Sequence, residues 1–201
     1  MLLYILTIGI AMVLIFCGNV FWFPVDMSLL KISILTVIQP FLMVAWDGIF
    51  AALIRHGLPA KWFSKELRIN HVGKAECRFY EMLGIKYWKD HVLELGMFTS
   101  FSKKKVQDPN DPAYVERFIL ECNYGVAVHF WNLVLAFPLV FVFPAPIGVR
   151  FVLPAAITNA ILSVLPLMIL RYNIPRLERL LVILKKKQAT KTSSKSPAFV
   201  V

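Results

Sequence analysis

The stretch that decides the fold is residues 2–23, LLYILTIGIAMVLIFCGNVFWF, which contains no charged side chain. Its length suits a helix that crosses a hydrocarbon core of about 30 Å. It has no basic n-region, and no A-x-A cleavage site follows it, so we expect a retained span and not a cleaved signal peptide. Phe21, Trp22 and Phe23 are typical of the aromatic belt at a membrane surface.

Three more apolar blocks follow, at residues 32–54, 126–143 and 151–170. Backbone polar groups find no water inside a bilayer, so helices are the expected structure in each block. Pro40 predicts a kink within the second helix, not a break. Residues 144–148 leave room only for a tight hairpin. The sequence therefore predicts an all-α polytopic membrane protein with about four transmembrane helices.

The composition agrees with this class, since 58% of the residues are hydrophobic and 17% are charged. Soluble domains are nearer 45–50% apolar and about 25% charged. The net charge is +10, and all but two of the 22 Lys and Arg residues lie in residues 55–117 or from Arg171 onward. With four spans, those stretches share one side of the bilayer. The positive-inside rule then places both termini in the cytoplasm of a cell-membrane protein. Anionic headgroups explain the charge, so no nucleic-acid partner is needed.

Residues 55–117 mix cations with aromatic rings, which is typical of a cytoplasmic segment that lies in the headgroup zone. The cluster at residues 107–112, QDPNDP, is the best candidate linker. A helix is expected to begin after it and to enter the membrane near Gly125.

The C-terminal part predicts a second kind of helix. Over residues 174–187, four leucines fall on one helical face (Leu177, Leu180, Leu181 and Leu184). We expect an interfacial amphipathic helix on the cytoplasmic side, followed by a disordered tail over residues 188–201. Residues 1–187 then form a single membrane domain.

Three residues are candidates for catalysis: Asp47, Glu121 and His129. Asp47 is a carboxylate inside an apolar block, and this position favours a functional site. The alternative is that Asp47 lies near the cytoplasmic end of its helix, where it pairs with a cation or reaches water. His129 with Glu121 nearby suits general-base work on a hydroxyl. Eight residues of helix span about 12 Å, so the orienting partner of His129 would be another carboxylate. The available ones are Asp47, Glu76, Asp90 and Glu94. The alternative is a histidine that caps a wet helix end.

Two segments are candidates for substrate binding. Residues 77–90 predict a membrane-lying helix that is followed by a basic-aromatic turn with Trp88, Lys89 and Asp90. This turn would hold a phosphate-bearing donor or a lipid headgroup. The alternative is that its aromatic residues only anchor an interfacial loop. In residues 171–177, Asn173 and Pro175 predict a helix start. Its N-terminus, flanked by Arg171 and Arg176, would attract an anion, unless Arg171 simply extends to the membrane surface.

Several common signatures are absent from the sequence. It contains no Gly-rich phosphate loop, no G-x-S-x-G, no H-E-x-x-H and no C-x-x-C. The three cysteines, Cys17, Cys77 and Cys122, have neither the number nor the spacing of a disulfide framework or a zinc site. We therefore expect no metal and no cofactor.

Four stretches together resemble one family. They are residues 58–63, residues 85–90, Glu121 followed by His129, and residues 171–177 running into residues 181–186. In this order they resemble the glycosyl-4,4′-diaponeurosporenoate acyltransferases of staphyloxanthin-type carotenoid synthesis. The chain departs from the family pattern at three positions, where it has Tyr124, Val126 and Ile174.

The resemblance implies transfer of a fatty acyl group from an activated thioester donor to a sugar hydroxyl of a lipophilic, glycosylated acceptor. It further implies that His129 is the general base, that Glu121 orients a neighbouring group, and that Arg171 and Arg176 hold donor phosphate or stabilise oxyanion charge. Two other functions stay open. One is a non-catalytic scaffold for a lipid pathway, and the other is a carrier, although few polar residues interrupt the spans.

Overall fold

The computed structural model describes residues 2–64, 67, 70–92 and 107–194, with side chains up to residue 190. Throughout these ranges the regular structure is helical. The helices are α1 (Leu2–Cys17, continued by a π-helical turn Gly18–Trp22), α2 (Leu29–Gly57), α3 (Lys74–Met82), α4 (Ile85–Trp88), α5 (Pro112–Leu135), α6 (Leu139–Val142), α7 (Ala145–Ile147) and α8 (Leu153–Ser194). Short 3₁₀ turns cover Ala60–Phe63 and Lys89–His91, and a π-helical turn, Gly148–Val152, leads into α8.

Four helical stretches in the described ranges are long and apolar enough to cross a membrane: Leu2–Trp22, Leu29–Gly57, Pro112–Leu135 and Ala145–Thr190. The first two leave large apolar side chains uncovered, among them Ile10 and Phe41. In water such surfaces would aggregate, but hydrocarbon is their natural solvent. The prediction of an all-α chain with four candidate transmembrane helices is confirmed.

Helix α2 shows how the second apolar block folds. The Ser28 hydroxyl caps its start by accepting a hydrogen bond from the Lys31 backbone N–H at 3.3 Å. The helix then continues through Pro40 to Gly57 without interruption. Proline removes one backbone hydrogen bond, and the neighbouring turns hold the helix together around that loss.

The main core lies between α5 and α8. Glu116 near the start of α5 contacts Lys185 near the end of α8 at 3.3 Å, so the two helices run antiparallel. Their buried apolar side chains form one cluster: Val115, Phe118, Ile119 and Cys122 from α5, and Leu170, Ile174, Leu177, Leu181 and Leu184 from α8. Three of the four leucines expected on one face of residues 174–187 are therefore buried against α5, not against headgroups.

The third apolar block differs from its prediction. The sequence predicted one span over residues 126–143, but α5 ends at Leu135 and residues 139–142 form the separate helix α6. Pro138 explains the break, because it cannot donate a backbone hydrogen bond and disfavours a helical residue before it. The expected tight turn does occur at Pro144, whose carbonyl accepts hydrogen bonds from the backbone of Ile147 and Gly148.

Helix α8 also differs from its prediction. Asn173 and Pro175 do not start a helix, because α8 runs through both. Residues 174–187, predicted to form a separate amphipathic helix, are therefore part of the last long helix. Residues 188–194, expected to be disordered, continue it, since Gln, Ala and Lys favour helix and no Gly or Pro interrupts them. The predicted tail beyond residue 194 lies outside the described residues.

Between α2 and α5 the described residues form short helices and turns. Helix α3 ends at a turn in which Gly84 has φ 68°, a left-handed conformation that favours glycine. Tyr80 before this turn and Ile85 after it both pack with Tyr172 of α8. The α3–α4 segment thus rests on the side of α8.

Candidate functional site

A two-pronged ion pair joins α3 to α8. Arg171 donates from Nε to Glu76 Oε1 and from a terminal nitrogen to Glu76 Oε2 at 2.9 Å. The Tyr80 hydroxyl donates to the same Glu76 Oε1 at 2.5 Å. Burial raises the pKa of Glu76, but the hydrogen bonds from Arg171 and Tyr80 and the arginine charge outweigh it, so the pKa lies below its ordinary value. Burial, together with Glu76, raises the pKa of Tyr80 to about 12.

A second polar cluster lies one to two turns further along both helices. Glu81 Oε1 accepts a hydrogen bond from the Tyr172 hydroxyl at 3.0 Å and lies 3.1 Å from Lys86 Nζ. Arg176 approaches the same oxygen at 3.6 Å. Its guanidinium lies over the Tyr172 ring, 3.6 Å from the ring centroid. The hydrogen bond from Lys86 is the largest of the influences that lower the pKa of Glu81.

Glu121 is buried in α5 and pairs with Arg55 at the end of α2, at a distance of 2.7 Å. Arg55 also lies 5.7 Å from the centre of the Tyr124 ring, which stacks on Phe63 at 4.1 Å between centroids. Asn123 donates to the Phe63 carbonyl at 2.7 Å. These contacts attach the chain after α2 to the middle of α5.

Asp47 belongs to a different part of the bundle. It accepts a hydrogen bond from Asn159 of α8 at 3.0 Å, and its neighbour Trp46 donates to the Leu135 carbonyl at the other end of α5. Asp47 precedes Arg55 by eight helical residues, which is about 12 Å of rise. The structure therefore gives Asp47 an amide partner from α8, well separated from the Arg55–Glu121 pair.

His129 is partly buried on α5, about 12 Å of helical rise from Glu121. Of the carboxylates considered for orienting it, Glu76 binds Arg171, Asp47 binds Asn159, and Asp90 lies 3.3 Å from Lys89. Glu94 lies outside the described residues.

The predicted binding residues lie in two places, the end of α4 with the turn after it and the middle of α8. Trp88 donates to the Leu83 carbonyl at 3.0 Å and packs with the Tyr80, Ile85 and Tyr172 cluster, as a side chain that anchors the turn. Beside it, the half-buried Lys89 pairs with the exposed Asp90 at 3.3 Å. Arg171, Asn173 and Arg176 lie on consecutive turns of α8, and both arginines contact carboxylates of α3.

The ion pairs of Glu76, Glu81 and Glu121 lie towards the end of the bundle where α2 ends and α5 begins, which we call the polar end. Cys122 beside Glu121 and Leu170 beside Arg171 belong to the same core cluster, so both charged residues lie next to the α5–α8 core. Asp47 does not join them. In the described ranges, no group of three or more His, Cys, Asp or Glu residues could hold a metal ion.

Sequence reasoning missed Glu81, Lys86, Tyr172 and Arg55 as members of this polar end. A signal for part of it was present: Glu76 and Glu81 are five residues apart, as are Arg171 and Arg176. The equal spacing lets opposite charges on the two segments pair in the same order, as Glu76 with Arg171 and Glu81 with Arg176 do in the structure.

Comparisons with known proteins bear on these residues. A protein-family model described as glycosyl-4,4'-diaponeurosporenoate acyltransferase matches residues 59–183. Comparisons with curated proteins and with solved structures gave no match. The matched range includes Glu76, Glu81, Glu121, His129 and Arg171, and it covers more than half of the chain. The family carries out acyl transfer in carotenoid biosynthesis. This chain belongs to the glycosyl-4,4'-diaponeurosporenoate acyltransferase family.

Proposed function

We propose that the protein transfers a fatty acyl group from a thioester donor to a sugar hydroxyl of a glycosylated terpenoid dissolved in the membrane. The observation that carries this proposal is the family match across residues 59–183, the range that contributes almost all of the polar end of the bundle. The apolar helices suit an acceptor whose hydrocarbon part lies in lipid and whose sugar lies at the surface.

The reaction makes clear demands on the protein. The sugar hydroxyl oxygen attacks the thioester carbonyl carbon, the C–S bond breaks, and an ester and a free thiol are formed. A base must take the hydroxyl proton, the proton finally goes to the leaving thiolate, and donors must stabilise the oxyanion of the tetrahedral intermediate.

We assign the base to His129, because it is a histidine in a partly buried position on the central helix α5. Glu121 acts as a positioning residue, since its pair with Arg55 attaches α2 to α5. Asp47 orients α8 through Asn159 and has no direct role in our scheme.

Donor binding is assigned to the α3–α8 contact. Arg176 is about half-exposed and suits a donor phosphate, whereas Arg171 is largely enclosed and already binds Glu76. Arg171 therefore places α3, and with it Trp88, Lys89 and Asp90, beside the donor. Asn173 lies between the two arginines and supplies an amide for the same ligand.

The orientation follows from the charges. We place both termini and the α3–α4 segment in the cytoplasm, because all but two of the Lys and Arg residues then lie on the cytoplasmic side. A soluble, phosphate-bearing donor would approach this basic face.

The test is an assay on membranes from cells that express the protein, with a radiolabelled fatty acyl-CoA and a glycosylated carotenoid acid. We expect a labelled ester with the wild-type chain. His129→Gln should lower kcat by at least a hundredfold, a loss typical of a general base. His56→Gln, an exposed histidine at the end of α2, is the matched control. Unchanged turnover by His129→Gln would refute the assignment of the base.

A non-catalytic scaffold is the second candidate, and one observation favours it. The predicted site residues are dispersed, since Asp47 lies apart from Glu121 and both arginines contact glutamates. Lipid mass spectrometry separates the two functions. A new acylated glycolipid in expressing cells supports the enzyme, and an unchanged lipid profile supports the scaffold.

A further inference from the structure

Three hydrogen-bond donors from two separate parts of the chain meet at one carboxylate oxygen, Glu81 Oε1. The Tyr172 hydroxyl donates to it at 3.0 Å, Lys86 Nζ lies 3.1 Å away, and an Arg176 nitrogen lies 3.6 Å away. Two of these groups carry full positive charges. Their convergence on a single oxygen resembles the environment that a phosphate oxygen prefers.

The cluster is reachable from outside the protein. The side chains of Lys86, Arg176 and Glu81 are 60%, 49% and 40% exposed. Only the tyrosine is buried, so its hydroxyl is fixed while the charged groups can exchange partners. An exposed ion pair contributes little to stability, so it offers little resistance to a competing anion.

The positions of the cations do not depend on Glu81 alone. Arg176 donates to the Tyr172 carbonyl at 2.7 Å and stacks on its ring. Lys86 lies on α4, which the left-handed Gly84 turn and the buried Ile85 hold against α8. Both cations would therefore stay close together if Glu81 turned away.

We propose that Lys86, Tyr172 and Arg176 form a binding site for a phosphate group, and that Glu81 occupies this site until the phosphate displaces it. The inference rests on the proposed function, in which the phosphate belongs to the thioester donor. It adds Lys86 and Tyr172 to the donor site and gives Glu81 the role of a competing internal anion.

A binding measurement without catalysis tests the site. The full-length protein is placed in phosphatidylcholine nanodiscs, and binding of radiolabelled pyrophosphate is measured by equilibrium dialysis. Arg176→Gln and Lys86→Gln should each weaken binding by about three- to tenfold, because each removes a charge-assisted contact. Glu81→Gln should tighten it by about two- to fivefold, because a competing charge is lost. Lys187→Gln, the same charge change on an exposed part of α8, is the control. Circular dichroism checks that each variant is folded.

Each outcome decides the proposal. Equal pyrophosphate affinity in the wild type, Arg176→Gln and Lys86→Gln would overturn it, and so would weaker binding by folded Glu81→Gln. Repeating the measurement with phosphatidylglycerol in the nanodiscs identifies the source of the phosphate. Loss of pyrophosphate binding there would assign the site to a lipid headgroup and refute the donor assignment. Normal pyrophosphate binding with no acyl transfer would keep the site and refute the proposed function.

Discussion

Arg171 on α8 binds both carboxylate oxygens of Glu76 on α3, across 95 residues of sequence. The Tyr80 hydroxyl donates to the same carboxylate from the next turn of α3. Two-pronged binding of this kind fixes direction as well as distance. The pair therefore determines how the α3–α4 segment lies on α8, and so where Lys86, Trp88 and Glu81 stand relative to Arg176.

Cys77 provides a native reporter for this contact, because it is partly buried against the α5–α8 core next to Glu76. Glu76→Gln should increase the rate of Cys77 labelling by a water-soluble maleimide by about tenfold, since a charge-assisted contact is lost. The double variant Glu76→Arg with Arg171→Glu should recover much of the protection. Glu178→Gln is the control for charge, and Cys77→Ser gives the background from Cys17 and Cys122. Equal labelling of wild type and Glu76→Gln would contradict the contact.

The same contact should depend on pH. The pKa of Glu76 is lower in the folded protein than its ordinary value of 4.5. A carboxylate whose pKa is lower in the folded state than in the unfolded state stabilises the fold when it is ionised. This contribution is complete above pH 4.5 and is lost as the pH falls through the pKa of the folded state. Cys77 labelling, with the rate normalised to a free thiol, should therefore increase below pH 4.5 in the wild type. The labelling rate of Glu76→Gln should not change over the same pH range. If both proteins showed the same increase in acid, the increase would not come from Glu76.

The ion pair between Arg55 and Glu121 should contribute to stability, because the Glu121 carboxylate is buried. Arg55→Ala leaves a buried carboxylate without its partner, whereas Arg55→Lys keeps a charge nearby. We expect Arg55→Ala to lower stability by about 1–3 kcal/mol, the usual penalty for a buried group that loses its hydrogen bond. Arg55→Ala with Glu121→Gln should recover part of this loss. Thermal unfolding in detergent measures it, and full stability of Arg55→Ala would show that water replaces the arginine.

At Gly148 the fold leaves no space for a side chain. A Cβ atom there would lie 2.1 Å from the Val140 carbonyl oxygen, a backbone atom that cannot move aside without shifting α6. Gly148→Ala should therefore destabilise the hairpin by about 1–3 kcal/mol or prevent folding. Gly48→Ala, where an added Cβ meets nothing within 4 Å, is the matched control in α2. If both variants unfold at the wild-type temperature, the close approach of α6 to Gly148 is wrong.

Much of the fold could be predicted because the relevant forces are local. The apolar blocks predicted four helices, and Pro40 correctly predicted no break in α2. Predictions failed at two prolines, because a proline can either interrupt a helix or be accommodated within it. Pro175 looked like a helix start, yet α8 continues through it, because packing of Ile174 and Leu177 against α5 outweighs one lost backbone hydrogen bond. Pro138 ended a helix that was expected to continue.

The sequence by itself determined that this is a helical membrane protein, because long uncharged stretches must be helical in lipid. The number of these stretches and the clustering of the cations can be read without knowing any tertiary contact. Only the tertiary structure decided which charges meet. The partners Glu76 and Arg171, Glu81 and Arg176, and Arg55 and Glu121 are each separated by at least 66 residues. No local preference selects such pairs, because they depend on how α3, α5 and α8 pack together.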